Sequence, residues 1–252
     1  MTDDPRLITT TAFTVASWDV DATGRLTTTA MGRYLQEAAE ANAHGLDAGY
    51  AELRAEGQTW VLSGLLLEVR RYPGFTDTVT VETWPRDIAR RRALRDFRLR
   101  DAAGETFAMA ASSWFCLDLA SRRPVSPERW RRIAWAESER ATDRDPARQP
   151  ALEGDPDDEV AVAVPVRWSD LDLNGHVTNT RYQDLLLEAY PASWLTGHAV
   201  ASIELEFLAE CRYPETLQSR RQADPAAGGA WRHALTRASD DKDVCRARVA
   251  WR

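Results

Sequence analysis

Lysine is almost absent from this sequence: Lys242 is the only one among 32 lysines and arginines. Cysteine is scarce as well. Cys116, Cys211 and Cys245 are scattered without a Cys-x-x-Cys, and the four histidines form no cluster at metal-ligand spacing. This argues against structural zinc and a disulfide framework, and points to reduced thiols in a cytoplasmic setting. No apolar run reaches the ~20 residues a membrane-spanning helix needs, and Met1 to Thr11 has no apolar core of signal-peptide length. The formal net charge of −7 speaks against nucleic acid as a partner. What remains is 252 residues, 44% hydrophobic and 28% charged, enough for a buried core without staples.

The densest chemistry lies in Arg167-Trp-Ser-Asp-Leu-Asp-Leu-Asn-Gly-His-Val-Thr-Asn-Thr-Arg-Tyr182. Two carboxylates (Asp170, Asp172), two amides (Asn174, Asn179) and His176 fall close together, after a strand-like run from Val160 to Trp168. An amphipathic helix with Tyr182, Leu185, Leu186 and Ala189 on its apolar face follows, and Asn174, Thr178 and Asn179 suit its cap. Exposed N–H groups at such a helix start suit a developing oxyanion. Asp170 reads as a residue that holds the turn, and His44, His198 and His233 as structural or exposed.

In chain order, a strand is expected over Ala12 to Val20, then a turn at Asp21–Gly24 and a helix with Met31, Tyr34, Leu35 and Ala38 on one face. Strands follow at Thr59 to Val69, Thr78 to Trp84, Arg92 to Arg100 and Thr106 to Leu119, and a helix start at Ser126-Pro127. The Asp- and Pro-rich segment 142–159 reads as a linker between a first domain, 1–141, with a trailing helix, and a second, 160–252. The second half repeats the first. A slide of 151 (172 minus 21) puts Asp21 on Asp172, Gly24 on Gly175, Thr27 on Thr178 and Leu35 on Leu186. After the helix the slide is 138 (205 minus 67), matching Leu67-Glu68-Val69 to Leu205-Glu206-Phe207. The halves differ where Thr23 faces Asn174, Arg25 faces His176 and Tyr72-Pro73 faces Glu210-Cys211.

The run Arg167 to Asn179 resembles the signature of acyl-ACP thioesterases, in the second of their two hotdog domains. Blocks such as Tyr34-Leu-Gln-Glu-Ala38, Glu68-Val-Arg-Arg-Tyr-Pro73, Arg95-Asp-Phe97 and Glu210-Cys211 extend the resemblance over nearly the whole chain. It implies an α+β fold of two tandem hotdog domains, a long helix wrapped by antiparallel sheet in each. It also implies hydrolysis of fatty acyl-ACP to free fatty acid and ACP, with the carrier protein and its acyl-phosphopantetheine as partner. Neither cofactor nor metal is implied, and a homodimer is compatible with it. The family's catalytic Asp-x-Asn-x-His falls on Asp172, Asn174 and His176, and its Glu-Cys pair on Glu210 and Cys211. Gly175 departs from plant members, which carry a larger polar residue there. The chain also lacks their targeting extension, so a bacterial-type soluble enzyme is expected.

Two chemical routes fit the resemblance. In the favoured one Glu210 or Asp172 activates water while His176 and Asn174 orient the carboxylate and the water. In the other Cys211 attacks, with His176 as base. The family places the acyl slot in the first half, where Met31, Tyr34, Leu35, Trp60 and Leu62 are candidate walls. The arginine run Arg86, Arg90, Arg91, Arg92 and Arg95 suits either an acidic carrier or a charged strand edge. The rival functions are an acyl-CoA thioesterase and a non-catalytic or dehydratase-like hotdog protein; a dehydratase usually sets a His against an acidic residue of the opposing half, and the first half has no such His.

Overall fold

The computed structural model describes residues 7–133, 140–153 and 160–252. They form two compact units, Met1–Pro146 and Ala147–Arg252. In the first, β1 (Thr9–Thr14) precedes the helix α1 (Thr28–Gly45) and a short α2 (Tyr50–Ala55). The strands β2 (Gln58–Val69), β3 (Thr78–Ala89), β4 (Arg92–Asp101) and β5 (Thr106–Asp118) follow, with β6 (Pro124–Val125) paired to β5. In the second, β7 (Val160–Pro165) is followed by α3 (Arg181–Leu187), α4 (Ala192–Gly197), β8 (Val200–Phe207), β9 (Thr216–Ala223), β10 (Ala230–Arg237) and β11 (Lys242–Trp251). The first sheet runs β1-β3-β4-β5-β2 and the second β7-β9-β10-β11-β8, the same order from corresponding strands. All these pairings are antiparallel. Each unit is therefore an α+β hotdog.

In α1 the apolar side chains recur at Met31, Tyr34, Leu35 and Ala38, the spacing that keeps them on one face of a helix. Met31 and Leu35 are fully or almost fully buried, each worth about 1.5–3 kcal/mol in transfer out of water. Thr27 starts the helix, its Oγ1 accepting from Ala30 N at 3.1 Å. The shorter α3 buries Tyr182, Leu185 and Leu186 in the same way. No helix among the described residues is long and apolar enough to cross a membrane.

Three expectations shift. The first strand lies at Thr9–Thr14, because the chain turns at Ala16–Asp19 (Asp19 N donates to Ala16 O, 3.0 Å) and leaves Trp18 80% exposed. Strand β3 runs on through Pro85 to Ala89, past a bulge between Pro85 and Asp87. Proline is tolerated there because β1 ends its pairing at Thr83, so among the described residues no strand on that side needs the missing N–H. The segment after Ser126 winds as a 3-10 helix, Pro127–Ile133. Residues 134–139 of the trailing helix and 154–159 of the linker lie outside the described residues. The described part of the linker is fastened by carboxylates: Ala141 N donates to Asp96 Oδ2 (2.9 Å) and Ala147 N to Glu204 Oε1 (2.8 Å).

A buried aspartate precedes the helix in each unit. Asp19 accepts from Ala16 N (3.2 Å), Arg33 Nη2 (2.6 Å) and the Tyr34 hydroxyl (2.8 Å). Asp170, at the repeat-equivalent position, accepts from Arg167 N (2.8 Å) and Arg181 Nε (3.0 Å). Burial pushes the Asp19 carboxyl up, but the bonds from Arg33, Tyr34 and Ala16 outweigh it and hold the group below the usual carboxylate range. A carboxyl lowered on folding stabilises fully above its unfolded value, and loses that stabilisation as pH falls through its folded one. Asp19→Asn should therefore cost roughly 1–3 kcal/mol at neutral pH, and the gap in denaturant midpoint from wild type should close below about pH 4. A gap that persists at acid pH would show that charge is not what holds the turn.

Candidate active site

The loop that carries the expected chemistry is a tight hairpin closed by one carboxylate. Leu171 bridges to Val177, Asp172 N donates to His176 O (2.8 Å) and Gly175 N to Asp172 O (3.0 Å). Asp172 Oδ1 accepts from the N–H groups of Asn174 (2.8 Å) and His176 (3.3 Å), and Asn174 Nδ2 lies 3.5 Å from Oδ2. Gly175 sits at φ +74°, a backbone region that favours glycine. The first unit builds the same hairpin: Asp21 Oδ1 accepts from Thr23 N (2.7 Å) and Arg25 N (3.2 Å), with Gly24 at φ +81°. Asp172 thus shapes the loop, as Asp21 does. What is particular to the second unit is the side chains of Asn174 and His176.

The segment facing this hairpin is also repeated. Val177 N donates to Cys211 O at 2.8 Å, as Leu26 N does to Pro73 O at 2.8 Å. Arg212 N donates to Glu215 Oε2 (2.6 Å), as Gly74 N does to Asp77 Oδ2 (2.8 Å). On this frame His176 Nε2 stands 3.2 Å from Glu210 Oε2. The first unit has Arg25 at the corresponding place, its guanidinium 6.0 Å from the Tyr72 ring. A third group completes the cluster: Arg212 Nη2 lies 2.7 Å from His176 Nε2 and 3.7 Å from Glu210 Oε2. Arginine can only donate, so this contact makes Nε2 an acceptor and leaves the ring proton on Nδ1. An Nε2–H directed at Glu210 requires Arg212 to swing aside, and its side chain is 63% exposed. The two partners therefore select opposite forms of one imidazole. Sequence reasoning did not single out Arg212; the available signal was its alignment with Gly74, a third difference beside His176 and Glu210.

Cys211 points the other way. Its residue is fully buried, and burial, with Glu215 beside it, pushes the thiol up to about 12. Glu210 is 42% exposed at its side chain, so the adjacent pair splits between surface and core. Burial likewise raises Cys116 to about 11 and Cys245 further still. The helix expected to offer oxyanion donors begins only at Arg181, and its first residue is capped by no side chain. Among the described residues no group of three or more His, Cys, Asp or Glu could hold a metal ion.

The residues expected to wall an acyl slot part company. A cavity of about 110 Å³ in the first unit is lined by Trp60, together with Ala39, Ala43, Ile88, Leu94 and Trp114. Met31, Tyr34, Leu35 and Leu62 are not on its wall; they are buried core, and Tyr34 stacks on Phe13 with ring centroids 4.3 Å apart. The apolar face chosen by its large side chains fills the core, whereas the neighbouring small alanines of α1 leave space. The arginine run also divides. Arg86 is buried and pairs with Asp96 at 3.0 Å, Arg95 is buried at the cavity wall, and Arg90 and Arg91 are exposed at the β3–β4 turn. His233 is buried with its Nε2 2.9 Å from the Tyr190 hydroxyl, and burial pushes it down to about 3.

Two hotdog units in one chain, the second carrying the His176–Glu210–Arg212 cluster, define a double-hotdog protein. The chain belongs to the acyl-ACP thioesterase family: its N-terminal domain matches residues 6–129 and its C-terminal domain residues 154–252. A palmitoyl-acyl carrier protein thioesterase of Cuphea hookeriana is 30% identical over 201 residues, covering 77% of this chain and 48% of the relative. A dodecanoyl-[acyl-carrier-protein] hydrolase of Cinnamomum camphora is 29% identical over 254 residues, covering 95% of this chain and 66% of the relative. The chain thus spans about half to two-thirds of the length of such relatives. An acyl-ACP thioesterase crystal structure from Bacteroides thetaiotaomicron superposes over 100% of both chains with a TM-score of 0.88 at 25% identity. The 12:0-ACP thioesterase from Umbellularia californica does so over 98% of this chain and 97% of its own, TM-score 0.84, also at 25% identity.

The burial of the thiols yields a direct check. In the folded protein an aromatic disulfide reagent at neutral pH should label none of the three cysteines until unfolding exposes them. Rapid labelling that disappears in Cys211→Ala would place a reactive thiolate in the site.

Proposed function

We propose that the protein hydrolyses fatty acyl-ACP to free fatty acid and ACP, with the second unit catalytic and the first holding the acyl chain. The observation that carries the reading is the His176–Glu210 pair, 3.2 Å apart at a place where the first unit has Arg25 and Tyr72. Glu210 takes a proton from water, and the water oxygen attacks the thioester carbonyl carbon. As the tetrahedral adduct collapses the C–S bond breaks, and the proton held by Glu210 passes to the departing phosphopantetheine thiolate. With Arg212 swung aside, His176 donates its Nε2–H to Glu210 and so orients it toward the water, and Asn174 holds the water or the carbonyl. Asp172 serves the loop, because both its oxygens already face donors of that loop. Cys211 is left out as nucleophile, since a thiol that titrates near 12 is not a thiolate at neutral pH. The family and the named activities of its relatives support acyl-ACP as substrate. A cytoplasmic location and a homodimer belong to the same proposal; three buried, unpaired cysteines are in keeping with a reducing compartment.

The test is turnover on acyl-ACPs of graded chain length, beside the same acyl groups on coenzyme A. Glu210→Ala should lose roughly 10²–10⁴-fold in kcat, and Cys211→Ala should keep substantial activity. Stoichiometric acylation in an intact-mass measurement that vanishes in Cys211→Ala would overturn the carboxylate route. Equal turnover of coenzyme A thioesters would remove the carrier protein from the proposal.

A further inference from the structure

The cavity of the first unit is lined mostly by apolar side chains, with Gln36 and Glu40 of α1, Asp87 of β3 and Arg95 of β4 as its polar members, and one of these is a cation. Arg95 comes from β4, is 9% exposed and lines the cavity. Its Nη1 donates to Asn42 Oδ1 (2.7 Å) and Thr83 Oγ1 (3.2 Å). The rest of its guanidinium has no acceptor among the described residues, although the group carries five N–H donors. Glu40, also on the wall, acts on it through space, while Glu40 Oε1 accepts from Tyr50 N at 2.8 Å. Arg86, buried to a similar degree, pairs directly with Asp96 and Asp145.

The fold does not require this cation. Sliding β3 onto β9 by 138 puts Pro85 on Ala223. The cross-strand partner of Pro85 is Arg95, and that of Ala223 is Trp231. The duplicated sheet thus accepts an apolar ring where the first unit keeps a charge. A buried cation with unused donors beside a cavity is expensive unless the cavity's contents satisfy it. Water can do so when the cavity is empty of ligand. A plain alkyl chain that displaced this water would leave the donors unmet, and the cost would fall on binding. A carboxylate is the wrong alternative, because Glu40, which already acts on Arg95 through space, and Asp87, which pairs with Arg131 at 3.6 Å, line the same cavity and would repel it. A hydroxyl fits both sides, accepting from Arg95 and donating to a wall carboxylate.

We propose that Arg95 makes this cavity selective for an acyl chain carrying a hydroxyl group. The inference rests on the reading that the acyl chain occupies the cavity. The test compares kcat/KM for ACP loaded with unsubstituted acyl chains and with chains of equal length hydroxylated at successive positions. One hydroxyl position should be preferred over the plain chain by on the order of tenfold. That preference should fall to about one in Arg95→Met and stay small in Arg95→Lys, which cannot reproduce the fork of donors. Should melting show that Arg95→Met does not fold, Glu40→Gln, which keeps an acceptor for Tyr50 N, decides through a reduced preference. Turnover of plain chains with no hydroxyl position preferred would overturn the inference and leave the hydrolase reading intact. So would a preference that survives in a folded Arg95→Met. Failure to turn over any acyl-ACP would instead remove the reading on which it rests.

Discussion

A buried carboxylate set ahead of each helix fixes the rest of both units. Asp19 and Asp170 bind the backbone before the hairpin and an arginine of the helix after it, so one side chain joins strand exit, loop and helix. Their carbonyls also accept from Thr27 and Thr178, both at 2.9 Å, at the point where the hairpin returns. Removing such an acceptor leaves several donors unmet in a nearly dry place, which is the costly direction of change. With the two ends held, the hairpin between them has little freedom, and Asp21 or Asp172 closes what remains. The position of His176 is thereby set by backbone bonds, and its side chain is left to face Glu210.

Much of this was readable in the sequence, because duplication writes each structural demand twice. Residues present in both halves, Asp21 with Asp172 and Gly24 with Gly175, proved to be hairpin residues. Of the residues present in one half, His176 and Glu210 lie together with Arg212, while Asn174 bonds only to Asp172 of its own loop among the described residues. Arg212 escaped notice because its role depends on contact with a residue 36 positions away. The residues expected to wall an acyl slot fall mostly outside the cavity for a different reason. Amphipathic spacing finds the face of a helix that is filled, and a cavity forms where the side chains are too small to fill it. Only Trp60, a strand residue, lies on the wall. The first strand was set too late because Ala12 to Val20 alternates well, while the carboxylate of Asp19 bends the chain there.

Among the described residues, the apolar recess of the first unit has no open counterpart within the rings of the second, although both units build the same strand order. In the first unit β3, β4 and β5 supply Ile88, Leu94 and Trp114 to a recess beside α1. In the second the corresponding ground is occupied by rings: Tyr190 lies among Trp194, Trp231, Trp251 and His233, and Arg221 lies 4.4 Å from the Trp231 ring. Filling that space with aromatic side chains stabilises the second unit by burial and by ring contacts.

The two hairpins differ at a side chain that closes the loop in one unit and faces outward from it in the other. In the first unit Arg25 Nε reaches back to Asp21 Oδ2 at 3.2 Å and adds an ion pair to the closed loop. Both side chains are partly exposed, 25% and 35%, so the pair is worth only about 0–1 kcal/mol. Histidine at the same place gives up that small stabilisation. Its ring turns away from Asp172, which is already satisfied by backbone N–H groups, and becomes free to meet Glu210 and Arg212. The loop keeps its shape because its carboxylate bonds to backbone, whatever side chain follows. A scaffold in which backbone holds the loop can therefore exchange the side chain for a functional one at little cost in stability, and only one of the two copies needs to do so.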